Sequence, residues 1–466
     1  MIASRLAELI CEVRFEALPV AAIEMAKLSI LDTIGVTLAG CKSEAVNITE
    51  IAVDARASIG DALVFGRGYR TAPANAALLN GIASHALDFD DCNNTMGGHP
   101  SVPIVPGLWA LAEQQGADGK AFLTAYAVGV ETETAIGAAV NFHHYEKGWH
   151  PTSTLGTFGG AAACAHLLKL NQTQTANALA IAASMAAGIK ANFGTMTKPF
   201  HVGQCARNGL LAARLAEGGM TASPEVFEHK QGFFEVFNGA GTYSVKKLFD
   251  KWASPFDLVE PGIAFKQYPC CASTHPAIDA LLKIMQVENL KAPDITKIRS
   301  WTHPRRFRHT NRPNPRSGLD AKFSVQYCLA RAAIHGAVLL EHFEDSAIHD
   351  EEVRSLMGKI QSQETETPFG TTTEHFFANA EVVSAKGKTF SAFVPYPDGR
   401  NRRHPLPEGK LDSKFNDCVS QELVPDAAQR LLSMLQSLDE IDNINTLSSI
   451  IDDGRRHEKS EMLLHN

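Results

Sequence analysis

The sequence predicts a mainly α protein in which a large helical domain, built from both chain ends, is interrupted by a smaller α+β domain. Three observations carry this expectation. Apolar residues recur at three-to-four spacing from the start to about residue 250. After about residue 262 the texture shifts to alternating, strand-like segments. From about residue 405 the helical period returns. The expected divisions are therefore 1–262, 263–404 and 405–466, the first and last forming one body.

Each element has its own local reason. SRLAELICEVRF and AAIEMAKLSILDTIGVTLAG open the chain as helices. KAFLTAYAVGVETETAIGAAV and TQTANALAIAASMAAGI follow, the latter so rich in small residues that it should lie buried against other helices. CARNGLLAARLAEGG is amphipathic and is stopped by Gly218 and Gly219. In the second part, ITKIRSWTH alternates as a strand, and ANAEVVSAKGKTFSAFVPYP is a hairpin with Lys386 and Gly387 near its turn. KFSVQYCLARAAIHG, between them, is a buried helix. KLDSKFNDCV and PDAAQRLLSMLQSL restore the helical pattern. No repeat of solenoid length is present.

Composition narrows the function classes. A hydrophobic fraction of 45% and a charged fraction of 20% are those of an ordinary soluble globular protein. A formal net charge of −8 gives no general attraction to nucleic acid or to anionic lipid. The N-terminal stretch carries charge every few residues and lacks the apolar core of a signal peptide. The longest apolar run, 178–189, is too short to span a bilayer. Nine scattered cysteines without a C-x-x-C pair read as reduced thiols, hence a cytoplasmic protein.

The segment HALDFDDCNNTMGGHP, residues 85–100, ends an apolar helix with Asp88, Asp90 and Asp91 and closes on His99. A metal site, an acid/base site and a solvated helix end are all open from this run alone. Its spacing matches no EF-hand loop, and no H-E-x-x-H occurs in the chain. GTFGGAAAC, residues 156–164, is not G-x-G-x-x-G and follows no strand, so close helix packing is the plainer reading. No G-x-S-x-G occurs, and the carboxylates beside Cys92 are expected to raise its pKa.

Acid/base chemistry has the stronger signal. GWHPTSTLG places His150 before Pro151 in a turn that starts a helix. NFGTMTKPFHVG places Lys198 before Pro199, with His201 close by. A residue before proline is pushed out of helical geometry, so Lys198 is expected in a turn. It is either a solvated surface lysine or, among Phe193, Met196 and Phe200, a partly buried base or anchor. FKQYPCCASTHP adds Lys266 and His275. RRFRHTNRPNPRSGLDAKFSVQY concentrates Arg305, Arg306, Arg308, Arg312 and Arg316, either a solvated basic loop or an anion clamp. In an acidic chain, such a loop beside a His/Lys set suggests a substrate bearing carboxylates.

Taken in order, HALDFDD…GHPS, GWHPTSTLGTFG, TKPFHVGQCARNGLLAA, FKQYPCCASTH and GLDAKFSVQY resemble the MmgE/PrpD family over nearly the whole chain. That family includes 2-methylcitrate dehydratase, cis-aconitate decarboxylase and iminodisuccinate epimerase activities. The resemblance implies a helical domain with an α+β lid, a homodimer, a cleft between domain and lid, and neither metal nor organic cofactor. It implies a lyase or isomerase that transfers protons next to a carboxylate of a small polycarboxylate, with an imino-dicarboxylate epimerase as the alternative. A polycarboxylate binder without chemistry is the alternative from another class.

Carried over residue by residue, Asp88, His99, His150, Lys198, His275 and Tyr327 fall on the family's site positions. Cys92 stands where the decarboxylase has threonine, and it marks the pocket wall. The expected division of labour gives the acid and base roles to Lys198 and His150. His99 and His275 orient or shuttle, and Asp88 fixes a histidine tautomer. Tyr327 donates a hydrogen bond. Cys92 and Lys266 contact substrate, and Arg312 and Arg316 hold a remote carboxylate.

Overall fold

The structure is a computed structural model, and it describes residues 1–250, 252–367 and 375–456. The protein is mainly helical, with a small mixed sheet toward the C-terminus. Two apolar cores organise it. The larger draws on both ends of the chain, joining Leu6, Ile30, Trp109, Phe122 and Phe158 to Phe415, Leu431 and Leu447. Trp109 Nε1 donates to Ser448 Oγ at 3.0 Å across this junction, satisfying a buried donor. The second core is built from residues between Tyr268 and Val382, among them Ile278, Leu281, Ile298, Leu329 and Val382.

Periodicity explains most elements. The N-terminal helix Ile2–Glu12 buries Ile2, Ala3, Leu6, Ala7 and Ile10, a single face at three-to-four spacing. Gly119–Val140 is started by Asp118, whose carboxylate accepts from Ala121 N at 2.7 Å. In the second core, β3 (Ile295–Thr302) pairs parallel with β4 (Ile360–Glu364) and antiparallel with β5 (Ala378–Ser384), which pairs antiparallel with β6 (Thr389–Val394). Gly387, at φ +75°, lies in the β5–β6 turn. The helices His275–Val287 and Val325–His335 pack against each other, and the first lies on β5 and β6.

Two features differ from the sequence expectation. The first part of the chain is not wholly helical, because Ala62–Val64 and Tyr69–Thr71 form a short antiparallel hairpin, β1 and β2. Each strand has only three residues, too few to show a period. GTFGGAAAC, by contrast, is as expected: it lies inside the helix Gly156–Leu167, not in a nucleotide-binding loop. Lys198 is helical, in the first turn of Thr197–Glu217, where Pro199 needs no N–H and so costs nothing. Residues 457–466 of the expected tail lie outside the described residues.

Small residues set the spacing that matters for the site. A Cβ on Gly81 would lie 2.7 Å from Gly203 Cα, so the helices Pro73–Ala86 and Thr197–Glu217 cross with almost no separation. One ends just before Asp88, and the other begins beside Lys198.

Candidate active site

The helix Pro73–Ala86 buries nearly every residue, and the chain leaves it through Asp88 in a left-handed conformation, φ +52°. Asp88 is buried, and two ammonium groups meet its carboxylate. Lys198 Nζ pairs with Oδ1, and Lys266 Nζ lies 3.1 Å from Oδ2. Burial pushes this carboxyl up, but Lys198 and Lys266 more than offset it and hold it well below the usual carboxylate range. Burial pulls the Lys266 ammonium down, and Asp88 more than reverses that.

Asp90 organises the neighbouring imidazoles. Its Oδ2 accepts from His85 Nδ1 at 2.8 Å and from His99 Nδ1 at 2.9 Å, and the two rings meet edge-on with centroids 4.7 Å apart. The two histidines then diverge. Burial takes His85 down to about 3, despite Asp90. Burial also pulls His99 down, but Asp90 and Cys92 outweigh it and raise it to about 10, so His99 carries a proton at neutral pH. Cys92 Sγ lies 3.7 Å from His99 Nδ1. Burial raises this thiol, yet His99 and Lys266 hold it below its ordinary value. The expectation that Cys92 is raised is thus corrected: Asp90 does push the thiol up, but His99 and Lys266 outweigh both it and burial.

His150 precedes the helix started by Pro151, and its N–H donates to Gly188 O at 3.0 Å. Its Nδ1 is 3.3 Å from His201 Nδ1, while its buried Nε2 has no hydrogen-bond partner. Burial, with His85 and Lys198, keeps this ring neutral, well below the ordinary value. A neutral imidazole with an unoccupied nitrogen is a ready proton acceptor.

These groups share one cavity of about 770 Å³, mouth included, lined by Asp88, Cys92, His99, His150, Lys198 and Lys266. Its other end is basic. The Arg305 guanidinium lies 3.8 Å over the Phe142 ring, and Arg306 and Arg400 lie 3.8 and 3.7 Å over Phe376. Buried Nε atoms of Arg305 and Arg306 have no hydrogen-bond partner. Burial and the nearby Arg400 push Arg306 down to about 9. Cations crowded in this way are poised for anionic oxygen atoms.

The structure does not bring every predicted residue here. Arg312 pairs with Asp320 and lies 5.2 Å over Phe323, and Arg316 is exposed, its backbone N–H donating to Asp320 Oδ2 at 3.0 Å. Neither lines the cavity, so the guanidiniums facing it are Arg305, Arg306 and Arg400. Tyr327 lies inside the second core, where its OH donates to His342 O at 2.5 Å and accepts from Arg331 Nε at 2.9 Å. His275 lines a smaller adjoining pocket with Cys92 and Lys266, and its Nε2 is 3.2 Å from Cys270 O. Asp88 holds lysines and not a histidine, which is the part Asp90 takes. Asp91 serves Ser101, accepting from its N–H at 3.3 Å and from its hydroxyl.

Sequence reasoning passed over His85, Cys271 and Arg400. His85 stands in the first motif itself, one turn before Asp90, and that spacing was its available signal. Arg400 follows the Asp398-Gly399 turn and carries no local signal. Among the described residues, His85, Asp90 and His99 are one group whose ligand atoms, within 4.8 Å of one another, could hold a metal ion. The four residues first considered for a metal, Asp88, Asp90, Asp91 and His99, are divided among different partners.

Residues 4–246 match the MmgE/PrpD N-terminal domain, and residues 268–440 match the MmgE/PrpD C-terminal domain. The chain belongs to the MmgE/PrpD family. It is 30% identical over 440 residues to cis-aconitate decarboxylase of Homo sapiens, covering 92% of this chain and 90% of that one. It is 26% identical over 468 residues to cis-aconitate decarboxylase of Aspergillus terreus, covering 93% and 92%. It is 23% identical over 420 residues to the mitochondrial 2-methylcitrate dehydratase of Yarrowia lipolytica, covering 84% and 79%. These relatives are lyases by name. No helix among the described residues is long and apolar enough to cross a membrane.

Proposed function

We propose that this member of the MmgE/PrpD family is a lyase that moves a proton at a carbon beside a carboxylate of a small polycarboxylic acid. The observation that carries the reading is the pairing, within one cavity, of a neutral His150 whose Nε2 is unoccupied with a basic end at Arg305, Arg306 and Arg400. The arginines hold a remote carboxylate in two-point geometry. His150 takes the proton through Nε2. Lys198, Lys266 and protonated His99 stand where negative charge develops on the substrate, and one of them returns a proton. Asp88 and Asp90 hold those groups in place through ion pairs. The names of the relatives, decarboxylases and a dehydratase of polycarboxylates, support the substrate class. Residues 263–404 act as a lid on a body formed by 1–262 and 405–466.

A second reading, epimerisation of an imino-dicarboxylate such as iminodisuccinate, is favoured by Cys92. Its thiol, lowered by His99 and Lys266, supplies a second proton-transfer group in the same cavity, as exchange at one carbon from two sides requires. An NMR panel in D₂O with 2-methylcitrate, cis-aconitate and iminodisuccinate tests both. Formation of an alkene or loss of CO₂ supports the lyase. Deuterium entry with loss of diastereomeric purity supports the epimerase. Binding with no alkene, no CO₂ and no deuterium entry from any of the three, read alongside a ligand-induced thermal shift, would sink both and leave a binding protein.

A further inference from the structure

The turn that presents Asp88 is gripped by three lysines on three consecutive carbonyls. Lys322 Nζ donates to Leu87 O at 2.6 Å, Lys266 Nζ to Asp88 O at 2.6 Å, and Lys414 Nζ to Phe89 O at 2.6 Å. All three side chains are buried. They arrive from distant parts of the chain, 235, 178 and 325 residues away in sequence. Lys322 belongs to the second core's region and also donates to Pro269 O at 2.8 Å. Lys414 belongs to the returning helix Lys410–Val419, where Asp32 Oδ1 lies 2.6 Å from it and the Phe89 ring 3.9 Å.

The physical need for this grip is local. Leu87 caps the C-terminal end of the helix Pro73–Ala86, where carbonyls have no partner within the helix and the dipole favours a cation. Asp88 follows at φ +52°, a strained conformation for a non-glycine residue that persists only when the surroundings impose it. A buried carbonyl left without a donor adds its unrecovered desolvation to that cost. The ammonium groups answer both requirements at once.

We infer that Lys322 and Lys414 are positioning residues. Acting on the two carbonyls that flank Asp88, they lock the backbone that aims the Asp88 carboxylate at Lys198 and Lys266. The inference rests on the proposed role of that trio. It makes the working geometry of the site depend on both the second core and the returning tail being in place. Neither lysine lines the cavity, so neither touches substrate.

Lys322→Met and Lys414→Met remove the donors and keep most of the side-chain volume. Two readouts apply: steady-state kinetics on whichever polycarboxylate the parent turns over, and the rate at which iodoacetamide alkylates Cys92, followed by peptide mass spectrometry. Each variant should lower kcat about ten- to a hundredfold with KM within about threefold, the signature of a misplaced working group. Alkylation of Cys92 should shift by at least about threefold, because its thiolate depends on His99 and Lys266 across the same turn. Lys283→Met, on the exposed face of the helix His275–Val287, should match the parent in both. Parent-like kcat and alkylation in folded Lys322→Met and Lys414→Met would overturn the inference. So would loss of folding in both, which would make them struts of the cores. If the parent turns over no polycarboxylate, the proposed activity fails, and Cys92 alkylation still decides the grip.

Discussion

The two ends of the cavity solve the problem of buried charge in opposite ways. At the Asp88 end, Lys198 and Lys266 share one carboxylate, and His85 and His99 share another on Asp90. At the arginine end, Arg305, Arg306 and Arg400 rest on the faces of Phe142 and Phe376, and the ion pair of Arg305 with Glu146 spans 3.8 Å. At the first end carboxylates and cations are already paired within the chain, the preorganisation that proton transfer demands. The second gathers three guanidiniums on aromatic faces, the arrangement to which the proposed function assigns a substrate's carboxylates. On the proposed function, chemistry belongs to the end where carboxylates match the cations, and recognition to the arginine end.

The sharpest way to break this comparison is to exchange the expected consequences of its two ends. Lys198→Ala and His150→Gln should each lower kcat by more than about a hundredfold, the lower range for a positioned acid or base. Near-normal turnover in both, measured on any accepted polycarboxylate, would end the assignment of chemistry to the matched end.

Arg306→Ala should act on binding. It should raise KM about ten- to a hundredfold, the span of a lost hydrogen bond between charged groups, with a smaller change in kcat. Its melting temperature should stay level or rise, because a crowded cation whose Nε has no partner is removed. Arg312→Ala, which releases Asp320 and the Phe323 ring but removes no guanidinium from the cavity, should change KM less than about twofold. Equal effects of the two arginine substitutions would dissolve the distinction between the ends.

A smaller effect sharpens it further. His99 has a folded pKa raised to about 10 by Asp90 and Cys92 in spite of burial, above the unfolded value near 6.5. Its contribution to stability is therefore full below about pH 6.5 and is lost as pH rises through about 10. Urea titrations of the parent should show stability falling across that window. In His99→Gln that slope should flatten, and an unchanged slope would remove His99 from the matched set.

How much of this was legible depended on how local each feature is. Helices with long apolar stripes, such as Ile2–Glu12 and Lys410–Val419, announce themselves, as does the β5–β6 hairpin with its Lys386-Gly387 turn. Strand β4 did not, because IQSQE is polar and mostly exposed and takes its order from its neighbour β3. The three-residue strands β1 and β2 are too short to carry a period. The rule that a residue before proline leaves the helix misplaced Lys198, since it does not hold within the first turn of a helix. Within the site, the short motifs around Asp88, His99, His150, Lys198 and Lys266 were enough to mark residues that meet in one cavity.

By itself the sequence determined which residue types could do acid and base work and which stretches would be helix or strand, because both follow from neighbours within a few positions. Only the tertiary structure decided the partners. It gave Asp88 to two lysines and Asp90 to two histidines, turned Arg305 and Arg306 toward the cavity and Arg312 away, and set Lys322 and Lys414 on the carbonyls beside Asp88. The reason lies in the range of the forces. A hydrogen bond or ion pair is decided within a few ångströms, and here those ångströms separate residues more than a hundred positions apart, such as Lys198 and Asp88.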